Sequence, residues 1–208
     1  MRYYLSSYKI RGEREVQQFK NLIPANKKTA YISNALDFSD DTERRKQSEK
    51  SDVDQLKSIG LEVEYFDLRK YFDQPEKTIT DLERYGVIWV RGGNVFVLRQ
   101  AMRLSGFDKA LKKISQEKND ILYGGYSAGI CVLAPSLKGL ELIDDITRHP
   151  YPQQNELIWE GLNLIDYAII PHYKSAHAES ELTDKIVRKY KKDGTPYKTL
   201  SDGQAIII

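Results

Sequence analysis

Short apolar runs rich in β-branched and aromatic residues alternate with longer amphipathic patterns along this chain. That alternation predicts βα units around a mostly parallel, twisted sheet, an α/β fold with helices on both faces of the sheet. The predicted strands are Arg2–Ser6, Thr29–Ser33, Glu62–Asp67, Gly86–Val90, Ile121–Tyr126, Tyr167–Ile170, Lys198–Leu200 and Ala205–Ile208. The predicted helices are Arg14–Leu22, Thr42–Ile59, Asn94–Leu104, Phe107–Lys118, a helix directly after Ser127, and Ala178–Lys192.

Length and charge narrow the class of protein. At 208 residues the chain fits one domain, residues 1–208, with room for a continuous core. Its 32 Lys and Arg residues nearly balance 30 Asp and Glu residues, which argues against a general nucleic-acid binder. No apolar run has the length of a membrane helix, and the first residues lack the features of a signal peptide. We therefore expect a cytoplasmic protein without a membrane partner, and we leave its oligomeric state open, a homodimer included.

The chain has a single cysteine, Cys131, so it forms no internal disulfide and no cysteine-rich zinc site. We expect no metal and no cofactor, although three histidines leave histidine and carboxylate ligands available. Cys131 falls four residues after Ser127, on the side of the following helix that is expected to pack inward. We therefore predict an unreactive buried thiol rather than a cysteine nucleophile.

The segment Gly125–Gly129, with the sequence GYSAG, follows a predicted strand and begins a helix. A serine on such a sharp turn is exposed, and the first helical N–H groups lie beside it. Ser127 is thus a candidate nucleophile, and the N–H of Ala128 is a candidate donor to an oxyanion. The alternative is a serine that only caps the helix, with glycines that serve only the turn.

A second glycine turn, Arg91–Asn94, follows the predicted strand Gly86–Val90 and also begins a helix. Turns of this kind meet at the carboxyl edge of a parallel sheet. If they meet here, the N–H of Gly93 joins that of Ala128 in a two-donor oxyanion hole. A phosphate-binding turn or a purely structural turn is the alternative.

His172 lies just after the predicted strand Tyr167–Ile170, where a side chain projects toward the sheet edge that carries Ser127. This position favours His172 as the general base. Its rivals are His177, before the last helix, and His149, in the irregular stretch Pro135–Leu164. We interpret that stretch as an active-site loop or flap.

A carboxylate is needed to orient the imidazole of the base and to stabilise its charged form. Asp202 lies between the last two predicted strands, but Asp-Gly is also a common hairpin turn. Asp144 and Asp145, about fifteen residues after Ser127, are the alternative acids.

Three motifs occur together in order, which is much more specific than any one of them alone. They are VRGGNVF at 90–96, GYSAG at 125–129 and IPHY at 170–173. In this respect the chain resembles the peptidase E (aspartyl dipeptidase) and cyanophycinase family of serine peptidases. The resemblance implies a flavodoxin-like three-layer sandwich similar to class I glutamine amidotransferases, with serine in place of their cysteine. It also implies oxyanion donors at Gly93 and Ala128, and it favours Asp202 as the acid because the family carries an acidic residue before glycine there.

Two positions depart from the family pattern. Arg91 replaces the first glycine of the family's Gly-Gly-Gly-Asn turn, and its side chain either lines the site or points outward. The stretch Ala176–Glu181 lacks the arginine that suits an acidic side chain in aspartyl dipeptidases. The resemblance therefore does not extend to specificity for an N-terminal aspartate.

These residues together predict a serine hydrolase, a peptidase that cleaves short peptides through an acyl-enzyme. An esterase or another small-amide hydrolase is the alternative, because an oxyanion hole does not distinguish amides from esters. A non-catalytic binding protein on the same scaffold is the alternative of a different class.

Overall fold

The computed structural model describes residues 1–117, 120–154 and 156–208. Its strands are β1 (Arg2–Ser6), β2 (Lys28–Ile32), β3 (Glu62–Tyr65), β4 (Val87–Val90), β5 (Leu122–Tyr126), β6 (Ala168–Ile170), β7 (Tyr197–Thr199) and β8 (Ala205–Ile207). Its α-helices are α1 (Gly12–Lys20), α2 (Thr42–Ser58), α3 (Pro75–Leu82), α4 (Val95–Leu104), α5 (Phe107–Glu117), α6 (Ala128–Cys131) and α7 (Ser180–Asp193). Short 3₁₀ helices cover Asn34–Leu36, Leu68–Tyr71 and Leu140–Leu142.

The main sheet has six strands in the order β3-β2-β4-β5-β1-β8. The first five are parallel, and β8 pairs with β1 in the antiparallel direction. Because β5 lies between β4 and β1, the residues that follow these three strands meet at one carboxyl edge of the sheet. The mostly parallel α/β fold predicted from the sequence is confirmed.

Helices cover both faces of this sheet because its strands alternate their apolar side chains. Tyr4 of β1 points to the face covered by α1 and α2, whereas Tyr3 and Leu5 point to the opposite face. On the first face Phe19 of α1 is fully buried and lies edge-on to Trp89 of β4, with ring centroids 5.3 Å apart. Losing such a buried ring costs about 3–5 kcal/mol.

Two strands of the carboxyl-terminal part lie outside the main sheet. β6 and β7 form a separate parallel pair in which Ile170 faces Thr199. The sequence predicts that the strand before His172 ends at the same sheet edge as the strand before Ser127. The separate sheet corrects that expectation. Because β6 and β7 are parallel neighbours, His172 and Asp202 follow adjacent strand ends.

Helix α3 was not predicted. It begins with Pro75 at its first position, where the missing N–H is not needed and the fixed φ suits the helix. Its buried residues Thr78 and Leu82 pack inward, whereas its other positions are mostly polar, so the apolar pattern was too short to recognise. The predicted helix over 107–118 ends at Glu117, and Lys118 lies outside the described residues.

The stretch 135–164, interpreted as a loop or flap, packs against the main core through its described residues. Leu137, Leu140 and Tyr151 are buried there. The Tyr151 hydroxyl also donates a hydrogen bond to the buried carboxylate of Asp37. This packing holds Asp144 against the start of α4, where its carboxylate accepts a hydrogen bond from the backbone N–H of Val95.

None of the helices in the described ranges has the length and apolar character to cross a bilayer.

Candidate active site

Ser127 lies on the turn between β5 and α6, with φ at 50° and ψ at −121°. A residue other than glycine seldom adopts a positive φ, and such strain is common where a side chain is held in position for chemistry. Ser127 is also partly exposed, whereas its neighbours Tyr126 and Ala128 are buried. The turn therefore presents the hydroxyl of Ser127 to the surface of the molecule.

Glycines allow this turn to form against the neighbouring strand. A Cβ on Gly125 or on Gly129 would collide with the backbone carbonyl oxygen of Val90, at the end of β4. A Cβ on Gly92 would lie 2.8 Å from the Cβ of Ser127. The two glycine turns predicted to meet are therefore in direct contact.

Three cavities lie around the two glycine turns, and Ser127 lines two of them. One of about 130 Å³ is lined by Ser127, Gly93 and His172, and Ser127 and Ala128 both line a small one of about 20 Å³. A third, of about 290 Å³, adjoins Gly93. Glu179 lines all three. Both predicted oxyanion donors thus belong to residues beside the Ser127 side chain.

His172 follows β6 and is almost fully buried, at 1 % exposure. Its Nδ1 lies 2.8 Å from Oδ1 of Asp202, which follows β7. Since a carboxylate only accepts hydrogen bonds, this contact places the ring proton on Nδ1 and leaves Nε2 as an acceptor. The pair can therefore accept a proton at His172 Nε2 and stabilise the charge that results.

Ser7, which sequence reasoning did not identify, connects both members of this pair. Its hydroxyl accepts a hydrogen bond from the backbone N–H of His172 at 2.8 Å and donates one to Asp202 Oδ1 at 2.8 Å. It is fully buried directly after β1. The available signal was its position, because β1 is a parallel strand whose carboxyl end adjoins that of β5.

A second histidine lies against the first. The rings of His172 and His177 are stacked with centroids 3.7 Å apart and planes 8° apart, and Tyr8 packs edge-on against both. Burial lowers the pKa of His172, and His177 lowers it further, whereas the contact with Asp202 raises it. His149, the third histidine, is exposed and lines a different cavity.

The alternative acids lie apart from this pair. Burial raises the pKa of Asp144 to about 7, and the charge of Glu179 raises it as well, although the hydrogen bond from the Val95 N–H lowers it. Asp145 is exposed and accepts hydrogen bonds from Thr147 and Arg148. Of these three carboxylates, the structure brings Asp202 into contact with His172.

The Arg91 side chain does not extend into solvent. It is 6 % exposed, forms an ion pair with Asp52 at 3.1 Å, and donates to the Tyr126 hydroxyl at 3.1 Å. Its remaining nitrogen, Nη1, is buried without a hydrogen-bond partner among the described residues. Because Arg91 also lines the 130 Å³ cavity, it adds a fixed positive charge to one wall of the site.

The Cys131 thiol is buried, and its Sγ lies 3.3 Å from the carbonyl oxygen of Ile169. Burial raises its pKa well above the ordinary value. It is therefore held as a neutral thiol that packs α6 against β6, in agreement with its predicted orientation.

Comparison with known families and structures identifies the class of enzyme. The family model of peptidase family S51 matches residues 5–208. The chain belongs to peptidase family S51. This S51 chain is therefore a serine peptidase, and the resemblance to peptidase E drawn from its three motifs is confirmed.

Two bacterial proteins described as peptidases are similar in sequence to this S51 peptidase. An uncharacterized peptidase of Listeria monocytogenes is 32% identical over 154 residues, which is 74% of this chain and 70% of the relative. An uncharacterized peptidase of Listeria innocua is 29% identical over 154 residues, 74% of this chain and 68% of the relative.

Solved structures support the fold of this S51 peptidase. The crystal structure of a candidate peptidase E from Listeria monocytogenes EGD-e superposes with a TM-score of 0.77 at 26% identity, covering 100% of this chain and 93% of that one. A peptidase from an acI-B1 Actinobacterium superposes with a TM-score of 0.68 at 16% identity, covering 100% of this chain and 82% of that one. The second likeness concerns the fold alone.

Proposed function

We propose that this S51 peptidase cleaves short peptides, with Ser127 as nucleophile, His172 as general base and Asp202 as the acid that orients it. The backbone N–H groups of Gly93 and Ala128 form the oxyanion hole. The reaction proceeds through a covalent acyl-enzyme.

The observation that carries the proposal is the contact between His172 Nδ1 and Asp202 Oδ1 at 2.8 Å, together with the cavity that His172 shares with Ser127. A base must have its acceptor nitrogen free and must lie within reach of the nucleophile. The contact with Asp202 leaves Nε2 free, and the shared cavity supports its access to the hydroxyl of Ser127.

The proposed steps conserve atoms and charge. His172 Nε2 takes the proton of Ser127 as Oγ attacks the carbonyl carbon, and the negative oxygen accepts hydrogen bonds from Gly93 and Ala128. The imidazolium then gives its proton to the leaving amine, and an ester on Ser127 remains. Water attacks this ester with His172 as base, and the carboxylic acid leaves as the proton returns to Ser127 Oγ.

The dimensions of the cavities favour short substrates. Sites for ligands of drug size enclose roughly 300–1,000 Å³. The cavity that Ser127 lines encloses about 130 Å³ and the cavity beside Gly93 about 290 Å³, which is room for few residues. The site also carries charges of both signs, with Arg91 on one wall and Glu179 on another. A dipeptide presents both an ammonium and a carboxylate, so dipeptides are the first substrates to screen.

Labelling with a fluorophosphonate tests the nucleophile and the base together. Wild type is compared with Ser127→Ala and His172→Ala, and with Ser115→Ala as a matched control on α5, away from the site. We expect one labelled peptide containing Ser127, no labelling of Ser127→Ala, strongly reduced labelling of His172→Ala, and normal labelling of the control. Circular dichroism verifies that each variant is folded.

Labelling at another serine, or unchanged labelling of His172→Ala, would contradict the proposed site. A folded wild-type protein that neither labels nor cleaves any peptide would favour a binding protein instead. Turnover of dipeptides but not of longer peptides with the same first two residues would support the proposed limit on length.

A further inference from the structure

Three potential metal ligands converge beside Ser127. His172, His177 and Glu179 each offer one ligand atom, and these atoms all lie within 4.8 Å of one another. All three residues line the 130 Å³ cavity. Two imidazoles and one carboxylate are a ligand set that suits Zn²⁺, with an open position left for water.

His172 is already arranged as a metal ligand. Its Nδ1 contacts Asp202 at 2.8 Å, so the free nitrogen is Nε2 on the side away from Asp202. Histidines that bind metals usually donate their other ring N–H to a carboxylate in this way, which fixes the ring and strengthens the ligand. The contact that prepares a base therefore also prepares a ligand.

His177 and Glu179 have the freedom to complete the site. Both are partly exposed. His177 Nδ1 accepts a long 3.3 Å hydrogen bond from the backbone N–H of Glu179, which is a weak restraint on the ring. Zn–N and Zn–O bonds are about 2.0–2.2 Å long, so the three ligand atoms must draw closer. Turning His177 out of its parallel stack on His172 is the movement required.

We propose that His172, His177 and Glu179 form an inhibitory site for Zn²⁺ or a similar divalent transition metal. The bound ion occupies Nε2 of His172 and so removes the base. Metal binding by itself follows from the ligand geometry, whereas inhibition rests on the proposed function of His172. The ion is an inhibitor and takes no part in the proposed reaction.

Metal binding is measured first, without reference to activity. Chelator-treated wild type is titrated with Zn²⁺ by calorimetry and with Co²⁺ by visible absorption, which reports tetrahedral coordination. We expect one ion per chain at micromolar concentrations and the intense visible bands of four-coordinate Co²⁺. His177→Ala and Glu179→Gln should each weaken Zn²⁺ binding by about 100-fold. Removing a residue that only supports a metal ligand already lowers metal affinity by about 10–100-fold, so removing a ligand should reach the upper end of that range.

The third histidine supplies the matched control. His149 is exposed and lies outside the cavity, so His149→Ala should bind Zn²⁺ as wild type does and keep its basal activity. Zn²⁺ should block both peptide cleavage and fluorophosphonate labelling in wild type and in His149→Ala, and a chelator should restore both. The rate of each protein is expressed relative to its own metal-free rate. On that scale, the Zn²⁺ concentration for half-inhibition should be about 100-fold higher for His177→Ala than for wild type.

Unchanged Zn²⁺ affinity in folded His177→Ala and Glu179→Gln would overturn the site, as would binding that depends on His149. Loss of cleavage on chelation would also overturn it, because the ion would then be required for activity. If Zn²⁺ binds through the three ligands but Ser127 never labels, the metal site stands and the proposed function fails. If Ser127 labels and Zn²⁺ does not bind, the metal site fails and the proposed function stands.

Discussion

Replacing Asp144 by asparagine tests how the protein holds a buried carboxylate beside its nucleophile. Burial raises the pKa of Asp144 from its ordinary value of 3.8 to about 7, and Glu179 adds to the shift. Asparagine is close in shape and keeps an oxygen that accepts the hydrogen bond from the Val95 N–H. The substitution therefore removes the charge while it preserves the contact.

The sign follows from the direction of the shift. A folded-state pKa above the unfolded one contributes stability that is fully present below the unfolded pKa and is lost as the pH rises through the folded pKa. For Asp144 that loss falls between about pH 4 and pH 7. One pKa unit corresponds to about 1.4 kcal/mol, so the full shift corresponds to about 4 kcal/mol. Because the residue keeps some exposure to solvent, we expect about 2–3 kcal/mol.

The assay is urea unfolding of wild type and Asp144→Asn at a series of pH values. Near pH 4 the two proteins should have similar free energies of unfolding, because wild-type Asp144 is protonated. At pH 8 the variant should be more stable by about 2–3 kcal/mol, equivalent to about 5–10 °C in Tm for a chain of this size.

Asp145→Asn is the matched control for this prediction. Hydrogen bonds from Thr147 lower the pKa of Asp145, so its substitution should not stabilise the protein at pH 8. A difference between Asp144→Asn and wild type that does not change with pH would refute the reasoning from burial. Equal behaviour of the two variants would refute it as well.

Three further predictions concern the site. Asp202→Asn should lower kcat by about 10³–10⁴-fold with little change in KM, because the amide no longer holds His172 with its proton on Nδ1. Steady-state kinetics with a dipeptide measure this loss, and a loss of less than tenfold would contradict the prediction. Ser7→Ala should lower the free energy of unfolding by about 1–3 kcal/mol, because it leaves the buried N–H of His172 without an acceptor and removes one of the hydrogen bonds to Asp202 Oδ1. It should also lower kcat more than it raises KM. Gly92→Ala places a methyl group 2.8 Å from the Cβ of Ser127, so kcat/KM should fall by about 100-fold, and full activity of this variant would show that the two turns separate freely.

Local patterns predicted a large part of this protein. The GYSAG turn around Ser127 could be recognised because a strand, a helix and two glycines lie within a few residues of one another. The strand before His172 was recognised because its apolar run, Tyr167–Ile170, is also a local pattern. Helix α3 was missed because its apolar pattern is short and it depends on packing against α5 and its neighbours. Propensity and periodicity do not contain that tertiary contribution.

The choice among the acids could not be made from the residues alone. Asp202, Asp144 and Asp145 all follow plausible elements in the sequence. Pairing of β6 with β7 puts Asp202 beside His172, 30 residues away in the chain. Packing of the stretch 135–164 directs Asp144 to the first N–H of α4 instead.

By itself, then, the sequence determined the α/β class, the sharp serine turn, the glycines beside it and the histidine at a strand end, because each depends on neighbouring residues. Only the tertiary structure decided which groups share the site. Ser7 meets His172 across 165 residues and Asp202 across 195, and His177 and Glu179 enter the cavity through the fold of the segment before α7. Contacts between such distant residues are fixed by the packing of many side chains together, and no local pattern encodes them.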